Sequence, residues 1–243
     1  MTAPVVLITG AARRIGAVIA THLHEHDYRL IIHCHHSQEQ ARHLAESLNS
    51  KRPHSAHVIP QDLADIENLP AFIQRVVDVW GRLDALVNNA SCFFPTPFGS
   101  VTQPAWQTLL NINLQSPFFL AQTAWPWLRQ TEGAVVNITD IHARHALRDY
   151  SAYSVSKAGL LMATTVLAKE MAPQVRVNAV SPGAILWPEG INELSEQGKQ
   201  AISQKTALKR AGTPLDIAQA VLYFLQASYV TGQVLEVDGG RYL

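Results

Sequence analysis

Cysteine is scarce in this chain. Cys34 and Cys92 are the only two among 243 residues. Two thiols cannot build the disulfide framework that small secreted scaffolds use, so a reduced, cytoplasmic setting is expected. An excess of charge of either sign is also missing. Nineteen Lys and Arg balance nineteen Asp and Glu, and the sequence pI is about 7.2. No basic surface for nucleic acid, and no acidic one for a basic partner, is expected from that balance. No apolar run approaches the ~20 residues of a membrane span. The chain runs almost at once into Val5-Val-Leu-Ile8 without a basic leader, so neither a signal peptide nor a membrane partner is expected. Linkers rich in Pro and Ser, low-complexity tracts and repeats are absent too. Residues 1–243 therefore read as one catalytic domain.

What is present is an apolar content of 47%, enough for one substantial core. Short apolar runs at 4–9, 28–34, 55–60, 84–88, 133–139, 174–180 and 233–237 predict strands. Longer amphipathic runs at 13–26, 37–49, 65–80, 104–129, 151–171 and 214–227 predict helices, with a further one near 193–204. Strands alternating with helices imply βαβ units. The fold class is α/β: a single-domain Rossmann-type, doubly wound parallel sheet of about seven strands with helices on both faces.

The first strand enters Thr9-Gly-Ala-Ala-Arg-Arg-Ile-Gly16 and then a helix. A glycine-bearing turn there lets backbone approach a pyrophosphate at the positive helix end. Gly10 and Gly16 hold the outer positions, but Arg14 stands where a middle glycine is usual. The second strand ends in His33-Cys34-His35-His36-Ser37. The acidic residue that would hold a ribose 2′-hydroxyl is missing there. His35, His36, Ser37 and Arg13 suit a 2′-phosphate instead, so NADPH is the expected cofactor. A metal is disfavoured, because strand alternation splits His33 and His35 from Cys34 and His36. Asp62, before Leu63, reads equally as an adenine contact or a helix N-cap.

The stretch from Asp140 to Lys157 reads as strand end, polar loop and helix start. Tyr153 and Lys157, four apart, share a helix face. An ammonium beside a phenol should lower the phenol's pKa toward the working range of a proton donor. Asp140 would face that pair. Asn88-Asn89-Ala90-Ser91 follows the fourth strand, at the crevice where such folds bind ligands.

These pieces, together with Asn113, Asn178, Pro182-Gly183 and Asp238-Gly239-Gly240, follow one another in the order seen in the short-chain dehydrogenase/reductase family, which the whole chain resembles. The resemblance implies that Tyr153 is the proton donor and that Lys157 holds the nicotinamide ribose. It implies that Asn113 supports a water and proton relay. Cofactor contacts fall on Gly10, Arg13, Arg14, Ile15, His35, His36, Ser37, Asp62, Leu63, Asn89, Ala90, Ser91, Lys157, Pro182 and Gly183. Three departures from the general family resemble its pteridine reductase subgroup: Arg14 for glycine, Asp140 for the usual serine thirteen residues before the tyrosine, and Ser91 for glycine. That likeness implies substrate contacts at Arg14, Ser91, Phe93, Asp140 and Tyr153, with the Phe93 ring stacked on a pterin. His36 stands where that subgroup carries an arginine, which would soften the preference for NADPH.

The expected activity is NADPH-dependent reduction of dihydropterins, with dihydrofolate as a further substrate. The other enzyme reading is a general carbonyl reductase acting on ketones, sugars or acyl thioesters. A catalytically idle dinucleotide-binding module is a third. Substrate loops are expected at 91–103, 141–150 and 184–205, with Trp187 as a lid or core residue. The helices 104–129 and 151–171 resemble those that join subunits in the family, so a homotetramer is expected.

Overall fold

Seven strands form one sheet in the order β3-β2-β1-β4-β5-β6-β7, and every neighbouring pair is parallel. The computed structural model describes residues 3–187 and 193–243. The strands are β1 (Val5–Ile8), β2 (Arg29–Cys34), β3 (Ala56–Pro60), β4 (Ala85–Asn88), β5 (Ala134–Ile138), β6 (Arg176–Pro182) and β7 (Val234–Val237). Parallel strands covered on both faces read as continuous apolar runs, and all four residues of β1 are fully buried. Alternation divides them. Val6 and Ile8 join the core under helices α1 (Arg14–Glu25), α2 (Gln38–Lys51) and α8 (Pro214–Gln226). Val5 and Leu7 join the core under α3 (Leu69–Asp78), α5 (Ser116–Leu128) and α6 (Ser151–Glu170). The order reverses between β1 and β4, and the crevice that opens there at the strands' carboxyl ends is where the site lies.

Most expected elements lie within a few residues of their places. Two differ for physical reasons. Helix 65–80 starts only at Leu69, after a 3₁₀ turn at Ile66–Asn68, with Pro70 in its first turn, where a missing N–H costs nothing. The helix expected over 104–129 is broken into α4 (Gln103–Leu110), a π-helical turn at Asn111–Gln115, and α5. Pro117 has no N–H to give the Asn113 carbonyl, so a regular α-turn cannot continue there. The Ser116 hydroxyl instead caps the Asn111 carbonyl at 2.7 Å.

In the expected loop 184–205, residues 188–192 lie outside the described residues, and α7 (Glu196–Gln204) is capped by Ser195. No helix among the described residues is long and apolar enough to cross a membrane.

Candidate active site

The carboxyl ends of six strands, β1 to β6, border a cleft of about 860 Å³. The β1 and β4 ends are stitched together first. Thr9 Oγ1 accepts the Asn89 and Ala90 N–H groups at 2.9 and 3.0 Å, and the Asn89 amide donates to the Thr9 and Gly10 carbonyls. Asn89, expected at the cofactor, thus spends its side-chain donor on the turn, though the residue still lines the cleft. Gly10 has φ +63°, and an added Cβ would lie 3.0 Å from Ala90 Cα. At Gly16 an added Cβ would lie 2.4 Å from the Gly10 carbonyl oxygen, so the turn packs directly against α1.

Arg14 takes φ +53°, the left-handed conformation for which glycine is the ordinary residue. Its guanidinium reaches across the cleft mouth and donates from Nη2 to the Trp187 carbonyl at 3.0 Å.

Asp140 follows β5 and does two things. Its Oδ1 accepts the His142 N–H at 2.8 Å, capping the short turn Ile141–Ala143. Its Oδ2 accepts the Tyr153 hydroxyl at 2.7 Å. The capping role expected as one alternative and a place beside the Tyr153 hydroxyl thus fall on the same side chain. Asp62 lines the cleft, but it is not the helix N-cap that was the other expectation: its Oδ1 accepts the Ala64 N–H at 2.9 Å in a turn, and Asp65 and Asn68 precede the 3₁₀ turn and α3. Lys157, 2% exposed, donates from Nζ to the Ile138 carbonyl at 3.0 Å and lies 5.9 Å from the Tyr153 ring centre.

The comparisons with known proteins agree with this architecture. The family described as enoyl-(acyl carrier protein) reductase matches residues 10–241. A 3-oxoacyl-[acyl-carrier-protein] reductase FabG from Staphylococcus aureus is 33% identical, covering 98% of this chain and 97% of that protein. The chain belongs to the short-chain dehydrogenase/reductase family. Ketoacyl reductase 2 assigned to the granaticin polyketide synthase of Streptomyces violaceoruber is 35% identical over 99% of this chain and 97% of its own. Pteridine reductase 1 from Leishmania tarentolae is 32% identical over 98% and 96%.

Members of the short-chain family are oxidoreductases that use NAD(P)H, and the residues present fit such a group. The first turn of α1 carries no acidic residue and its N-cap makes no side-chain hydrogen bond, so the positive end of the helix suits a phosphate. Gly10, Arg13, Arg14 and Ile15 lie at that end. His35, His36 and Ser37 border the cleft beyond β2, with the two imidazoles 3.6 Å apart. Leu63, Ala90, Ser91, Pro182 and Gly183 also line the cleft. An added Cβ on Gly183 would meet Asp238 Cα at 2.7 Å. The Asp238 carboxylate accepts from the Gly240 and Arg241 N–H groups, so Asp238-Gly239-Gly240 is a turn that backs Gly183.

The electrostatics correct one expectation. Lys157 does not lower the phenol. Burial first, then the Asp140 carboxylate, hold the Tyr153 pKa well above its ordinary value. Burial also lowers Lys157 to about 8, against the pull of Asp140. The carboxylate lies on the phenol and the ammonium points at backbone, which reverses the sign that residue spacing suggests. A phenol so held keeps its proton.

Asn113 is fully buried behind the cleft rather than lining it. Its Oδ1 accepts from Ser91 Oγ and the Cys92 N–H, and its Nδ2 donates to the Cys92 carbonyl and Ser156 Oγ. The side chain therefore pins the 91–92 segment to α6. Phe93 stacks on Tyr150 at 4.5 Å, with 10° between the rings, and meets the edge of Tyr153 at 4.8 Å. One of its faces is thus taken by a residue that the sequence did not single out. Tyr150 precedes the helix by one residue, and only the folded loop brings it to Phe93. Cys92, Ile141, His142 and Leu147 also line the cleft, from loops whose course no periodicity predicts.

Proposed function

We propose that this protein is an NADPH-dependent reductase of dihydropterins, with dihydrofolate as a second substrate. The observation that carries the reading is the carboxylate of Asp140 at 2.7 Å from the Tyr153 hydroxyl. A serine there would offer a hydroxyl to polarise a ketone oxygen. A carboxylate instead accepts, so it orders a donor beside a ring nitrogen. Reducing a C=N bond adds a hydride at carbon and a proton at nitrogen. Bound NADPH supplies the hydride. Tyr153, kept protonated by burial and by Asp140, delivers the proton. Lys157 holds a positive charge in the floor of the cleft, where it would fix the ribose. The Phe93–Tyr150 pair is a flat aromatic wall on the substrate side, and an aminopyrimidinone edge would meet donors on the Arg14 guanidinium and an acceptor in the Ser91 oxygen, whose proton goes to Asn113. Arg13, His35, His36 and Ser37 form the group proposed to select the 2′-phosphate.

Two of the relatives reported above are ketoacyl or oxoacyl-(acyl carrier protein) reductases, and that favours a second reading, a general carbonyl reductase. NADPH oxidation by the purified protein with dihydrobiopterin, dihydrofolate, a β-ketoacyl thioester and a simple ketone separates the two. Turnover of the pterins and little of the others is expected. Turnover of the thioester or ketone alone would overturn the pterin reading.

A homotetramer is proposed as the working assembly. Val155, Met162 and Val166 leave an apolar stripe exposed along α6, with Trp106 and Trp125 exposed on α4 and α5.

A further inference from the structure

We propose that His33 is a positioning residue for the dinucleotide, acting through Gly10 and the Gln61–Leu63 loop. The imidazole sits at the end of β2, 2% exposed, between the two loops that approach the cofactor from either side of the strand. Its Nδ1 receives the Gly10 N–H at 3.1 Å, and its Nε2 lies 3.0 Å from the Gln61 carbonyl. The partners leave no freedom in the assignment. An amide N–H can only donate, so Nδ1 must be bare. A carbonyl can only accept, so Nε2 must carry the proton. The ring is therefore the neutral Nε2–H tautomer.

Two backbone bonds run parallel to these, from the Ala11 N–H to the His33 carbonyl at 2.9 Å and from the Gln61 N–H to the Cys34 carbonyl at 3.0 Å. Strand and loops would stay in register without the side chain. What the side chain adds is the angle of the Gly10 peptide. Gly10 is backed on its other side by Ala90, and its conformation at φ +63° is thus set between a methyl-bearing wall and an imidazole. Phe72 holds the ring plane by an edge contact at 5.5 Å. Burial pushes the imidazole down to about 4, with His35 lowering it and the Gln61 carbonyl and Asp62 raising it, so the ring stays neutral through the physiological range. A second ring proton would confront the Gly10 N–H with another N–H.

The inference rests on family membership and not on the pterin reading, and its test contains no pterin. His33→Leu removes both hydrogen bonds at similar volume. His33→Gln keeps one acceptor and one donor about as far apart as the ring nitrogens. Dissociation constants for NADPH and for NADH would be read from nicotinamide fluorescence, with near-ultraviolet circular dichroism to show that the fold is intact. The Leu variant is expected to weaken both nucleotides by the same factor, about tenfold for the loss of a positioned hydrogen bond. The Gln variant should recover most of that. Unchanged affinities in the Leu variant would overturn the proposal. So would a loss confined to NADPH, which would place His33 at the 2′-phosphate. Should the Leu variant fail to fold, nitrogen-15 spectra of the wild-type imidazole decide: the Nε2–H tautomer at neutral pH is expected, and an Nδ1–H ring or an imidazolium would refute the assignment.

Discussion

Replacing Asp140 by Asn isolates the charge on which the chemistry of the site is argued to depend. The substitution keeps shape, and the Asn oxygen can still accept the His142 N–H, so the turn at Ile141–Ala143 should persist. The Asn nitrogen cannot accept the Tyr153 hydroxyl, which loses its 2.7 Å acceptor. A hydrogen bond to a charged group contributes ~1.5–3 kcal/mol. If that bond orients the proton in the transition state, kcat should fall roughly 10- to 150-fold. Asp140 raises the Lys157 pKa, so its removal lets the lysine drop further below its value of about 8. The alkaline limb of the pH–rate profile should move to lower pH accordingly. Asp140 has no contact with the phosphate turn, so NADPH affinity should stay within about twofold if only the transition state is affected. Steady-state NADPH oxidation with dihydrobiopterin across pH, with cofactor titration alongside, reads all three quantities. Equal small losses in turnover and in binding would refute the role given to Asp140. So would an Asp140→Ser variant that gains ketone reduction while keeping full pterin turnover.

Arg14→Gly should relieve left-handed strain of ~1 kcal/mol and so hold or raise the melting temperature, while NADPH binding weakens about tenfold as the cation and its bond to Trp187 are lost; a variant that is less stable yet binds normally would contradict this. Lys157 is lowered to about 8 in the fold against 10.5 when exposed, so the folded protein binds fewer protons than the unfolded chain between those values. The penalty for burying the charged amine is full below pH 8 and fades as pH rises, so Lys157→Met should lose ~1–2 kcal/mol of stability relative to the wild type between about pH 7.5 and about pH 9.5 in denaturant melts. A pH-independent difference would mean that the lysine titrates normally. Met162→Asp on the exposed stripe of α6 should dissociate the proposed tetramer in light scattering and leave the circular dichroism unchanged; a wild-type monomer would exclude that assembly.

The helix and strand pattern is legible in the sequence because burial on two faces demands apolar strands, and one-sided burial demands amphipathic helices. Seven apolar runs and the long helical stretches between them account for the sheet. The glycine turn, the pair four apart on α6 and the aspartate thirteen residues earlier are legible for a related reason. Each is a local requirement, of backbone freedom, helix geometry or chain order, and local requirements leave traces at fixed spacing. Even the break inside the helix expected over 104–129 has its trace in Pro117. What tertiary structure alone decided is everything that depends on distances between loops. The sign of the Tyr153 shift turned on where the Asp140 oxygens and the Lys157 ammonium point, and spacing along one helix says nothing of that. Asn113 was readable as a motif, but its four hydrogen bonds to Ser91, Cys92 and Ser156 were not. Tyr150 meets Phe93, and Arg14 meets Trp187, across tens of residues of chain. His33, one of several histidines at a strand end, is distinguished only by the Gly10 N–H and the Gln61 carbonyl that converge on its ring.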